Sequence, residues 1–237
     1  MRKLKLLILS CIAILSISST CFASSSIKIE HVDKQDVLNY AIQFVQTQYP
    51  AYVVDTIKDS EINFLLNSDL KNKAEEIIGS KQQQLLFTVQ TENDAVILTV
   101  NSTSTINQRN MVKELVSEDL NHEQYLLIQI KRHFNDYYVF GCNPTTQEKN
   151  GGLIINVEPN SPLAQNGIKS GDILLAVNDK NVLSDKLGFL SGRMVNIFAD
   201  SPVTFLIEQS NTKKIIAVKI TPQLQKVTSA SEKIDDN

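Results

Sequence analysis

The sequence predicts an α+β fold in two units, and three features of its 237 residues carry that expectation. Short apolar runs alternate with amphipathic stretches of helical spacing, and neither kind dominates. The pattern changes near residue 135, after which short apolar runs are separated by Gly, Pro and Asn. A composition of 42% hydrophobic and 21% charged residues is that of a globular protein and too apolar for a mainly disordered chain. A formal charge of −3 with no basic run in the body argues against nucleic acid as a partner. Three Cys and three His leave little material for a structural metal site or a disulfide framework, so no metal ligands and no cofactor are expected.

Residues 1–23 read as a secretory signal. Arg2, Lys3 and Lys5 precede the apolar run Leu6–Ile17, and Cys21-Phe22-Ala23 puts small residues at −3 and −1 of a cut after Ala23. The apolar core is short for a membrane-spanning helix, which needs about 20 residues. An uncleaved anchor over Leu6–Ala23, which would tie the chain to the membrane, is one alternative. Lipidation at Cys21 is another, although Ser18-Ser19-Thr20 lacks the leucine of a bacterial lipobox. Cleavage removes three of the 23 basic residues and none of the 26 acidic ones, which leaves the mature chain at −6. It also removes Cys11 and Cys21, so Cys142 has no intrachain disulfide partner. Cys142 is then a reactive thiol paired with His133 or a buried small hydrophobe. The expected address is the periplasm or cell envelope.

Residues 24–134 are expected to form an α+β unit. A short strand at Ile27–Glu30 leads to a helix capped by Asp33 and running to Gln48, with Val37, Leu38, Ala41, Ile42 and Val45 on one face. Tyr49-Pro50 ends it. Strands at 51–57 and 61–66 flank the turn Lys58-Asp59-Ser60, and Ser68 or Asp69 caps a second helix to Ile78, closed by Gly79. A hairpin joins 85–90 to 95–100 through Glu92-Asn93-Asp94. A long helix over 108–133, broken near Asn121-His122, completes the unit. No motif here carries chemistry. Asp55-Thr56 lacks the following Gly of a retroviral-type catalytic aspartate and reads as a turn residue. Asn101-Ser102-Thr103 is a glycosylation acceptor that matters only in a host that uses it.

Residues 135–223 are richer in signals. Leu153–Val157 is an uncharged strand. Ser161 caps a one-turn helix with Pro162 at its first position, and Gly167 stops it. Ile168 turns inward, Gly171-Asp172 launches the strand Ile173–Val177, and Asn178-Asp179 turns back to Val182. A helix capped by Ser184 or Asp185 follows to about Phe198, and strands at 203–208 and 215–220 close the unit around Asn211-Thr212. Residues 224–237 read as a disordered tail.

The run VEPNSPLAQNGIKSGDILLAVNDKNV, with Ser161-Pro162-Leu163-Ala164, Gly167 to Leu174 and Val177-Asn178 as its fixed points, resembles PDZ domains. The resemblance is to the bacterial, circularly permuted kind found in periplasmic quality-control and C-terminal-processing proteases. It covers about 85 residues, Tyr137 to Pro222. It implies a partly open β-barrel or sandwich with two helices, PDZ-like, after the small α+β domain. It also implies a groove that takes a peptide by strand addition and holds its carboxylate on backbone N–H groups of a Gly-containing loop. By position that loop is Tyr138, Val139, Phe140 and Gly141, and the groove-facing helix residues are Leu187, Leu190, Ser191 and Met194. Cys142–Gly152 departs from the family pattern, being polar and containing Pro144.

The expected function is that of an exported, non-catalytic protein binding C-terminal or extended peptide segments of envelope proteins, an envelope protease or secretion component among them. The alternative of another class is a structural assembly subunit with a closed groove. A protease or protease-associated subunit is a third. Against catalysis stand the absence of Gly-x-Ser-x-Gly, His-Glu-x-x-His, a phosphate-binding loop or Cys-x-x-Cys, and the small size of the segments flanking the PDZ-like run.

Overall fold

The computed structural model describes residues 25–108, 111–115, 120–184 and 195–227. Asp33 opens the first helix as its residue type requires: its Oδ1 accepts the Gln35 N–H at 2.7 Å. That helix, α1 (Lys34–Gln48), follows strand β1 (Ser25–Glu30). Then come β2 (Val53–Lys58), β3 (Glu61–Lys71), β4 (Ile77–Glu92), β5 (Ala95–Gln108), β6 (Met111–Leu115) and α2 (Leu120–Phe134). The strands form one antiparallel sheet in the order β1-β5-β4-β3-β2, with β6 also on β5.

One face of this sheet is apolar because residues alternate across the pleat. Ile62 and Phe64 on β3, Leu85 and Phe87 on β4, and Leu98 and Val100 on β5 are fully buried. Val37, Leu38, Ala41 and Val45 of α1 and Leu126, Leu127 and Ile130 of α2 pack onto them. Phe64 and Phe87 meet edge-to-face at 5.8 Å.

Two expectations fail here. No helix starts at Ser68 or Asp69. Both lie in β3, opposite Lys81 and Ser80 of β4, and the chain reverses at Asn72, whose Oδ1 accepts the N–H groups of Ala74 (2.8 Å) and Glu76 (3.1 Å). Gly79 is not a helix stop but a point of close approach, since a Cβ there would stand 2.3 Å from the Asn107 carbonyl oxygen. Nor is 108–133 one helix. β5 runs to Gln108, pairs across to Met111 of β6, and α2 begins at Leu120.

The second unit has its own core. Its elements are β7 (Tyr137–Val139), β8 (Cys142–Lys149), β9 (Gly152–Val157), α3 (Pro162–Gln165), β10 (Ile173–Val177), β11 (Lys180–Asn181), β12 (Val203–Glu208), β13 (Ile215–Ile220) and β14 (Gln223–Gln225). The sheet order is β13-β12-β10-β9-β8, with β11 on β10, and β7 pairs with β14 in a separate ribbon. The fold is thus α+β, with no closed barrel among the described residues. Leu153, Ile155, Leu163, Val177, Phe205 and Ile207 are central to the core.

Local chemistry explains these elements. Ser161 Oγ accepts the Ala164 N–H at 3.3 Å, with Pro162 in the first turn of α3, and Gly167 follows at φ +80°. Asn178 (φ 45°) and Asp179 (φ 66°) form the two-residue turn between β10 and β11, as a type I′ hairpin demands. The Asp172 carboxylate, 3% exposed, accepts the N–H groups of Lys169 and Ser210. The expected tail begins later than residue 224: Leu224 and Gln225 pair with Tyr138 and Tyr137, because β7 presents a ladder that would otherwise go unpaired. Residues 228–237, the stretch 1–23 expected to be a signal and the stretch 185–194 expected to be helical lie outside the described residues.

The units join with little slack. Asn135 and Asp136 alone separate α2 from β7. Asn135 donates from Nδ2 to the Glu30 carbonyl (3.0 Å) and accepts the Glu30 N–H (3.3 Å), while Asp136 accepts the Val227 N–H at 2.8 Å.

Candidate functional site

The loop between β7 and β8 is shaped by one glycine. Gly141 has φ +75°, and a Cβ on it would stand 2.0 Å from Ser161 Cβ. The backbone therefore lies against the start of α3. The Phe140 carbonyl accepts the Leu163 N–H (3.2 Å) and the Gly141 carbonyl accepts the Glu158 N–H (3.0 Å). In a trans peptide the N–H points opposite to the C=O, so the Gly141 N–H turns away from α3 and the Cys142 N–H away from Glu158. Upstream, the Tyr138 N–H donates to the Ile197 carbonyl at 2.7 Å.

A cavity of about 240 Å³ opens beside this loop. Tyr138, Val139, Phe140 and Gly141 all line it. Phe140 is 8% exposed and packs edge-to-face on Phe205 at 5.3 Å, so it serves as apolar floor as well as core. Val195 and Ile197 form a side wall, and Ile128, Gln129 and Arg132 of α2 form another. The expected helix positions Leu187, Leu190, Ser191 and Met194 lie outside the described residues, immediately before that side wall.

β8 is the outer strand of its sheet, and the ladder fixes which of its groups face outward. Ile155 of β9 uses both backbone groups toward β10, donating to Asp172 O and accepting from Gly171 N. Its partner Pro144 therefore sits in a non-hydrogen-bonded pair, with its backbone toward the outer side of β8. Cys142, two residues earlier and opposite Val157, faces the same way. Cys142 offers an N–H and a C=O there, whereas Pro144 offers only a C=O.

The charges at the cavity are few. The Arg132 guanidinium lies over the Tyr137 ring, its Cζ 4.3 Å from the centroid, and Nη1 donates to Gln129 Oε1 at 3.3 Å. Glu158 accepts the Asn143 amide at 2.8 Å. Burial, with the Glu158 carboxylate adding to it, pushes the Cys142 thiol up to about 12. His133, the partner considered for that thiol, is stacked on Tyr40 instead, their rings 3.6 Å apart. The arrangement favours Cys142 as a small hydrophobe over a reactive thiol.

Sequence reasoning missed Arg132, Ile128 and Gln129 at this cavity, because nothing local ties a helix of one unit to a loop of the other. The sequence places Ile197 on the apolar stripe of a helix reaching Phe198; it does line the cavity, with Val195, but residues 195–198 form bends and turns rather than helix.

Residues 139–220 match the family model described as PDZ domain. The C-terminal unit is a PDZ domain. The match begins in β7 and ends with β13, so the β14 strand that pairs with β7 lies just outside it. The PDZ domain is by family a peptide-binding module, and the cavity lies at its glycine loop. Among solved structures, the chain is similar to a photosystem II D1 C-terminal processing protease, at 15% identity and TM-score 0.33, over 49% of this chain and 36% of that one. It is also similar to the HtrA-type protease AlgW with decapeptide, at 9% identity and TM-score 0.35, over 70% of this chain and 56% of that one. The chain thus spans only about a third and just over half of those proteins' lengths. A search of curated proteins gave no match.

Proposed function

We propose that this chain is an exported, non-catalytic protein of the cell envelope whose PDZ domain takes the C-terminal or extended segments of other envelope proteins by strand addition to β8. The observation that supports it is the conjunction of an outer strand with a cavity at its start. A peptide laid antiparallel on β8 can pair with the backbone of Cys142 and the carbonyl of Pro144. Its last side chain then reaches the apolar floor of Phe140 and Phe205, and its carboxylate meets the N–H groups of the Phe140–Cys142 turn. Leu187, Leu190, Ser191 and Met194, expected from the sequence to face the groove, would supply its opposite wall in this reading. Candidate ligands include segments of an envelope protease or of a secretion component.

The test is hydrogen exchange on the exported chain with and without a C-terminal peptide library. Strand addition should slow exchange at Cys142 and its neighbours in β8 while leaving β13 unchanged. A library that binds nowhere, or binds without protecting β8, overturns the reading. Amino-terminal sequencing of the exported protein should begin at Ser24.

A second reading, a structural assembly subunit, is favoured by the packing of α2 at the cavity. Lys131 Nζ stands 4.5 Å from the centre of the Phe198 ring, next to the Arg132–Tyr137 contact. In that case the groove is a joint within a complex and free peptides leave β8 exchange unchanged.

A further inference from the structure

The cavity is not made by the PDZ domain alone, and the residue that the other unit brings to it is a cation. We infer that Arg132 on α2 receives the terminal carboxylate of the ligand, so that the two units together form a site for free C-termini ending in an aliphatic side chain. The inference rests on the peptide-binding reading above and names the group that gives it selectivity.

Three observations carry it. Arg132, carried on α2 of the other unit, lines the cavity together with Tyr138, Gly141 and Phe205. The guanidinium is held over the Tyr137 ring, with Cζ 4.3 Å from its centre. And its charge is uncommitted: the ion pairs among the described residues are His31–Asp94, Lys58–Glu61 and Lys71–Glu75, and Arg132 gives one hydrogen bond, to the neutral Gln129 amide. A guanidinium has five N–H donors in a fork that fits a carboxylate, so most of that capacity is unspent.

The complementary chemistry follows from the rest of the lining. Phe140, Phe205, Val195 and Ile197 offer an apolar space suited to an aliphatic terminal residue. Glu158, the carboxylate among the lining residues, is engaged by Asn143 at 2.8 Å and disfavours an anion on its own side. The ligand's negative charge is thereby directed to the α2 side, where the cation stands. The backbone N–H groups of the loop complete the anion's surroundings but do not distinguish a carboxylate from a carbonyl as sharply as a full charge does.

The experiment uses the exported chain and a peptide library of random sequence ending in Val, Leu or Ile, prepared once as free acids and once as C-terminal amides. Wild type should prefer the acids by about tenfold. Arg132→Gln should bind acids and amides alike, and Arg132→Lys should restore part of the preference. Rising salt should erode the wild-type preference, a readout independent of how well any variant folds. An acid preference that survives both Arg132→Gln and salt overturns the inference, as does a wild type that binds acids and amides equally. In both of those outcomes peptide binding itself stands. A wild type that binds neither set defeats the peptide-binding reading and this inference with it.

Discussion

The Asp172 carboxylate accepts the Ser210 N–H at 2.8 Å, linking two segments 38 residues apart. Its other oxygen accepts the Lys169 N–H at 3.0 Å, so one buried side chain satisfies the turn before β10 and the end of β12 together. Asp172→Ala leaves two backbone donors without a partner in a site closed to water. The expected cost is about 3 kcal/mol, read as a lower urea midpoint at constant slope. A loss below about 1 kcal/mol would mean that water replaces the carboxylate.

Gly141 and Ser161 define a second brace, this time by proximity. Gly141→Ala must place a methyl where Ser161 Cβ stands and hold a left-handed backbone, for an expected loss of about 3 kcal/mol. Pairing it with Ser161→Gly removes the collision but not the backbone preference, so the double variant should recover about half of the loss. Equal stability of single and double variants would place the strain elsewhere.

Cys142 should be inert while the chain is folded. Burial favours the neutral thiol, so its folded value near 12 lies above the ordinary 9. The unfolded state then releases this proton first as pH rises. The stabilising contribution is therefore complete below about pH 9 and is lost toward pH 12. Alkylation by iodoacetamide at pH 8 should be slow in buffer and fast in denaturant, whereas rapid labelling of the native chain would reinstate the reactive-thiol reading.

Pro144 withholds an N–H from the outer side of β8. Pro144→Ala should supply that donor and tighten binding of library peptides by about fivefold, the worth of one net hydrogen bond. The same change should leave the β8–β9 ladder intact, because position 144 faces away from it. Unchanged affinity would indicate that peptides do not pair along this strand.

Elements whose cause is local were legible in the sequence. Asp33, Ser161-Pro162 and Asn178-Asp179 each satisfy or bend the backbone within a few residues, and each stands where its chemistry places it. The stretch 67–78 misled because β3 and β4 there run beyond the helices that cover the core. Neither face of that ribbon is buried, so the two-residue alternation that marks a strand fades, and exposed Ser68 and Asp69 serve a strand as readily as a helix cap. Met111 and Leu115 fit a helical stripe when read together with Leu120, yet the chain uses them in a strand because Gln108 and Met111 close a hairpin on β5. The turn at Gly141 was legible from its residue type. The part played by Arg132 was not, since it arises from the way one unit rests on the other.

Only Asn135 and Asp136 stand between α2 and β7. A tether that short, with Asn135 clasped to β1 and Asp136 to the chain beyond β14, acts as a weld rather than a swivel. A ligand that draws the glycine loop sideways must also lever α2, and α2 lies directly on β1 and β5. If the groove takes a peptide as proposed, its occupancy would be felt, through α2, by a sheet that lies outside the PDZ match.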